Sequence, residues 1–227
     1  ECRPFINISL SGSWTMMGNP YLQNLYWSKI ENDNGVSGPG FMVYDNGWVY
    51  QQTLPPLRGA MINNNDLLTN NIIINNPKFN TIEKEYYGKR YNQITGDEWL
   101  LDLELKGVNL HHKISQIGER DDASNQIDRY DIGMPPSLGY DYGIRFTNNT
   151  TRDIRATGSK NVAWSFTVDN NYSTKSTIYW SLQSSHNSNL YLLDTESGDI
   201  VNMSKQSSYS FTGLKNRSFK IFKGELA

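Results

Sequence analysis

Residues Trp14 to Tyr50 read WTMMGNPYLQNLYWSKIENDNGVSGPGFMVYDNGWVY, and this stretch decides the fold class. Asn46 and Gly47 both tolerate positive φ, so they predict a two-residue type I′ turn between strand-forming aromatics and valine. In that register Val43 faces Tyr50, Tyr44 faces Val49 and Asp45 faces Trp48. Upstream, Gly18-Asn19-Pro20 follows the apolar run Trp14 to Met17, and a strand has to stop and turn there. Tyr21, Tyr26 and Trp27 then bring the chain back onto the same apolar surface. A strand, a forced turn and an aromatic hairpin make a small β core.

Outward from this core, nearly every periodic segment alternates with period two. Phe5 to Leu10 opens the chain as a strand. Leu54-Pro55-Pro56 interrupts the ladder, because proline donates no hydrogen bond. Gly59 to Ile62 and Leu67 to Ile74 read as strands, with Ile72-Ile73-Ile74 expected to be buried on both faces. Residues 75–97 change character: an Asn-Pro break, a charged stretch around Glu83-Lys84-Glu85, then Thr95-Gly96-Asp97, where a domain junction is placed. Beyond it Trp99, Leu101, Leu103 and Leu105 share one strand face. Gly118 to Gly143 reads as a long acidic loop around Pro135-Pro136. Strands return at Tyr142–Phe146, Val162–Val168, Thr177–Leu182, Leu190–Leu193, Ile200–Met203, Tyr209–Thr212 and Ser218–Phe222. The best helical candidate, Asn24 to Glu31, amounts to a turn or two. The expected fold is all-β, with two antiparallel sandwich-like domains of jelly-roll or immunoglobulin-like type, spanning 1–95 and 96–227.

The chain has 227 residues, enough to bury a core without staples. Its formal net charge of −2 argues against a nucleic-acid partner, which usually selects a basic face. No apolar run reaches the ~18 residues of a membrane span. No charged segment followed by an apolar one opens the chain, so an export signal, if used, is expected upstream. Cys2 is the single cysteine and excludes an internal disulfide. Sequons at Asn7, Asn148, Asn149, Asn171, Asn202 and Asn216 read as a consequence of heavy asparagine use.

Catalytic templates fail: there is no nucleophile elbow, phosphate-cradling loop or zinc-protease helix motif. His111 and His112 are adjacent on a strand, so they point to opposite faces and share no ligand. His186 sits in a serine- and asparagine-rich hairpin loop. Glu119, Asp121, Asp122, Asp128 and Asp131 supply hard oxygen ligands of the kind calcium takes, although their spacing is not that of an EF-hand. The plainer reading of the same residues is a solvated acidic connection, and a glycosidase pair drawn from them lacks any readable separation. Tyr44, Trp48 and Tyr50, beside the hairpin tip, are candidates for stacking on sugar rings. Trp14, Trp99, Trp164 and Trp180 read as core.

The segment Ser13-Trp14 … Gly18-Asn19-Pro20-Tyr21 … Trp27, followed by Tyr44-Asp45-Asn46-Gly47, resembles a module of large secreted proteins from bacteria with a type IX secretion system. There it lies upstream of the C-terminal sorting domain. Ser13 stands where that family usually has glycine. The resemblance continues through Trp99, Arg152-Asp153-Ile154-Arg155, Trp164, Leu190-Tyr191 and Phe219-Lys220-Ile221. It implies a secreted, non-catalytic accessory module that needs no cofactor, at the cell surface or outside the cell. Its partners would be other domains of the parent chain or surface components, with polysaccharide as an alternative. A carbohydrate-binding module would show exposed, coplanar Tyr or Trp, and an unrecognised enzyme would show a polar pocket gathering the acids named above.

Overall fold

The structure, a computed structural model, describes residues 5–10, 13–67, 69–77, 94, 96–136, 142–158, 162–184 and 189–224. Strand makes up 56% of these residues and helix 6%, so the protein is all-β, as the alternation predicts. The chain divides into two compact units. One comprises Glu1–Tyr44 with Val49–Gln93, the other Asp45–Trp48 with Ile94–Ala227.

The first unit contains β1 (Phe5–Ser9), β2 (Trp14–Gly18), β3 (Leu25–Tyr26), α1 (Trp27–Asn34), β4 (Phe41–Tyr44) and β5 (Trp48–Gln51). It continues with β6 (Thr53–Leu54), β7 (Gly59–Asn63), α2 (Asn64–Leu67) and β8 (Asn71–Asn75). A four-stranded sheet runs β2-β7-β4-β5, and two ribbons pair β1 with β8 and β3 with β6. The turn after β2 is fixed by Asn19. Its buried side chain donates to the carbonyls of Gln23 (2.9 Å) and Leu54 (3.0 Å) and accepts from the Tyr21 amide (3.0 Å). Its backbone meets Arg58 and Leu57, which ties this turn to the one after Pro55-Pro56. Trp27 is buried edge-on against Phe41 and donates to the Gly38 carbonyl (3.0 Å).

Three expectations shift along this stretch of the chain. The turn between β4 and β5 holds three residues, Asp45–Gly47, rather than two. Asn46 and Gly47 do take positive φ, but Gly47 at 145° lies well beyond the range of a type I′ turn. The short helix is Trp27–Asn34, ended by Gly35 in the left-handed conformation, three residues later than expected. The expected strand from Leu67 starts at Asn71, after a helical turn at Asn64–Leu67. There Ile72 and Ile74 are buried while Ile73 is 42% exposed, so the run alternates. Asn34 explains how β8 ends its sheet: its side chain accepts from the Ile73 amide (2.6 Å) and donates to the Ile73 carbonyl (2.8 Å).

The second unit is a sandwich of two sheets. Its strands are β9 (Trp99–Gly107), β10 (Leu110–Arg120), β11 (Ile132–Gly133), β12 (Tyr142–Phe146), β13 (Thr150–Ala156) and β14 (Ala163–Asn170). Then follow β15 (Lys175–Ser184), β16 (Leu190–Asp194), β17 (Ile200–Asn202), β18 (Ser208–Thr212) and β19 (Arg217–Lys223). One sheet is ordered β11-β13-β10-β9-β15-β18 and the other β12-β14-β19-β16-β17. Leu101, Leu103 and Leu105 from the first meet Trp164, Phe166 and Val168 from the second in one core, with Trp99 edge-on to Trp164.

Two features depart from the sequence reading. β10 pairs with β13 in parallel, so the sandwich is not wholly antiparallel. A parallel neighbour needs a long crossover, and between β10 and β13 the chain contributes β12 to the opposite sheet. The acidic loop is also shorter than Gly118 to Gly143, because β10 runs to Arg120 and places buried Glu119 opposite Trp99.

Candidate functional site

The five carboxylates proposed for calcium are each held by donors of the chain, and they are not gathered at a point. Glu119 is buried in the core, where one oxygen accepts from Trp99 Nε1 (2.9 Å) and Lys223 Nζ (2.8 Å). Asp121 accepts from the Thr157 hydroxyl (2.7 Å). Asp122 pairs with Arg129 (2.6 Å) and accepts from the Tyr130 hydroxyl. Asp128 accepts from the amides of Ser124 (2.6 Å) and Tyr130 (2.7 Å), which closes the loop on itself. Asp131 is buried and bridges the amides of Asp128 (2.9 Å) and Ile154 (3.0 Å), pinning the loop to β13. Burial pushes its carboxyl up to about 6, helped by the charges of Asp153 and Asp128. Among the described residues no three His, Cys, Asp or Glu side chains form a metal-ligand group.

The hairpin aromatics differ in exposure. Trp48 is buried, and Tyr44 and Tyr50 are half-buried. Trp27, Trp99, Trp164 and Trp180 are buried as well, and Trp14 is half-buried. His186 lies outside the described residues.

The two strand histidines do face opposite ways. His111 meets Glu104 on the outer sheet face, which Lys106 (3.1 Å) and Lys113 (3.3 Å) also approach. His112 is fully buried, with Nε2 2.8 Å from Ser115 Oγ, and Ser115 in turn lies 3.1 Å from Thr151 Oγ1. A histidine beside a serine is the arrangement of an activated nucleophile. Here both are sealed in the core, where no substrate reaches them.

A second polar constellation escaped the sequence reading. On the outer face of the six-stranded sheet, Asp102 accepts an amide proton from Gln116 (2.7 Å) and another from Gln183 (2.5 Å). Ser181 lies opposite Asp102, and two residues along β15 Tyr179 lies opposite Glu104 and Ser208. Only strand pairing joins these positions, so spacing along the chain gave no signal. Compared with known proteins, the chain matches no family model, no curated protein and no solved structure.

Proposed function

We propose that this chain is a non-catalytic accessory module of a larger secreted or cell-surface protein, serving attachment, assembly or presentation. The observation that carries the reading is where the chain spends its reactive groups. The His112–Ser115 pair is core, Glu119 bridges the two sheets to Lys223, and Asp128 and Asp131 fold their own loop. Each of these groups holds structure instead of converging on an accessible point, the arrangement acid–base chemistry needs. The likeness of Gly18-Asn19-Pro20-Tyr21 and Tyr44-Asp45-Asn46-Gly47 to secreted modules of bacteria with type IX secretion supports the same role. Its partners are then other domains of the parent chain or components of the cell surface.

The test is deletion of residues 1–227 from the parent protein, followed by whole-cell immunodetection and assay of the culture medium. The expected result is loss of the surface-held fraction, with the remaining domains still active. An unchanged surface fraction, or turnover of a substrate by the purified chain, would overturn the reading.

A further inference from the structure

The outer face of the six-stranded sheet is half covered. On its β13 side the segment 121–131 lies over the strands: Asp131 bonds the Ile154 amide, Arg152 donates to the Tyr130 carbonyl, and Arg152 and Ile154 are buried. On its β15 side the face is open, with Tyr179 38% exposed and Ser181, Ser210 and Thr212 exposed. The covering segment forms a step, and Asp102 with its two glutamines stands between that step and the open floor.

We propose that this open face, centred on Tyr179 with Asp102, Gln116 and Gln183, binds a neutral polysaccharide chain. This deepens the attachment role given above and rests on it. Sugar rings present a flat, weakly apolar C–H face and an edge of vicinal hydroxyls. Tyr179 supplies an amphipathic ring for the first. The ring is reachable from solvent at 38% exposure, and the Lys106 ammonium 4.9 Å from its centroid is carried on a side chain that is itself 46% exposed. For the hydroxyls, Asp102 takes one N–H from each glutamine and so fixes both amides. Each amide keeps a carbonyl acceptor and a second N–H, the paired donor and acceptor that a vicinal diol requires. Tyr179 and Ser181 are successive residues on one strand face, roughly 7 Å apart, so ring and amides lie within the reach of one short oligosaccharide.

The same face disfavours other occupants. Protein interfaces centre on buried apolar anchors, and the described residues of this open floor include no exposed aliphatic side chain. A polyanion would meet the Asp102 carboxylate, which is held by two neutral amides and by no cation among the described residues. A neutral, hydroxyl-rich chain is the match that remains.

Affinity electrophoresis in native gels containing hydroxyethylcellulose, galactomannan, arabinoxylan or mixed-linkage β-glucan tests the assignment. The wild-type chain should be retarded by at least one of them. Tyr179→Ala and Gln183→Ala should weaken that binding at least tenfold, while Tyr179→Trp retains it. Both sites are on the surface, and an unchanged circular dichroism spectrum confirms that the variants fold. No retardation in any gel, or equal retardation of wild type and Tyr179→Ala, overturns the proposal. If deleting the chain releases the parent protein but Tyr179→Ala does not, attachment stands and the sheet-face assignment falls. If the gels retard the chain but deletion changes nothing at the surface, attachment falls and the binding face stands.

Discussion

Replacing His112 by glutamine isolates the strongest pH dependence built into the core. The imidazole is sealed between the sheets, with Nε2 on Ser115 and no partner for Nδ1. A Cβ on Gly143 would lie 2.7 Å from Nδ1, so the glycine packs closely on the ring. Burial, reinforced by the charge of His111, pushes the group down to about 3, against 6.5 when exposed. The sign follows: the folded protein keeps the ring neutral while the unfolded chain takes up the proton first. Stability is therefore full above pH 6.5 and is lost as pH falls from 6.5 towards 3. Each pH unit in that window removes about 1.4 kcal/mol, so about 2.7 kcal/mol is gone at pH 4.5. Urea unfolding followed by the fluorescence of the buried tryptophans, at pH 7.5, 6.5, 5.5 and 4.5, measures this. Asp131 acts in the opposite sense, gaining stability as pH falls below about 6, but it does so in both proteins and cancels in their difference. The wild type should lose stability relative to His112→Gln along that slope. Parallel curves for the two proteins would refute the reasoning, because a ring that titrates normally is not sealed.

The remaining expectations concern the frame of each unit. Lys223→Met strands Glu119 in the core and should cost about 2 kcal/mol by the same urea assay. That is below the 3–5 kcal/mol of a fully buried pair, because the lysine stem is 36% exposed. Combining it with Glu119→Gln should restore part of the loss. Asn19→Ala removes three hydrogen bonds from a buried turn and should destabilise the first unit by about 2–3 kcal/mol, read by its thermal transition. Gly143→Ala should cost about 1–3 kcal/mol, since the added methyl meets the His112 ring. Millimolar calcium, or a chelator, should move the melting temperature by less than about 1 °C, because the loop carboxylates are already occupied. A clear rise with calcium would restore the metal reading.

Alternation made much of the sandwich legible. Trp99 to Leu105 and Val162 to Val168 expose one face each in the sequence, and both faces are core. β13 had no such signature. Thr151, Arg152 and Asp153 are buried polar residues, satisfied by contacts such as Thr151 with Ser115 and Arg152 with Tyr130, and these partners become neighbours only on folding. The acidic loop misled for a related reason. Five carboxylates in a short segment look like a ligand set until backbone amides and Arg129 claim them one by one. The Tyr179 face was hidden because Asp102 and Gln183 lie on separate strands, brought together by register alone.

Asn34 has a consequence for the protein in company. An unpaired strand edge is a template, and at high local concentration it recruits like strands from other molecules. One side-chain amide here imitates the backbone of a neighbouring strand for a single residue, and the Asp33 carboxylate holds Asn75 beside it (2.7 Å). The row of bonds that another chain would extend is thus already answered at Ile73. The isoleucine-rich strand β8 thus offers a blunted edge to like strands of other molecules.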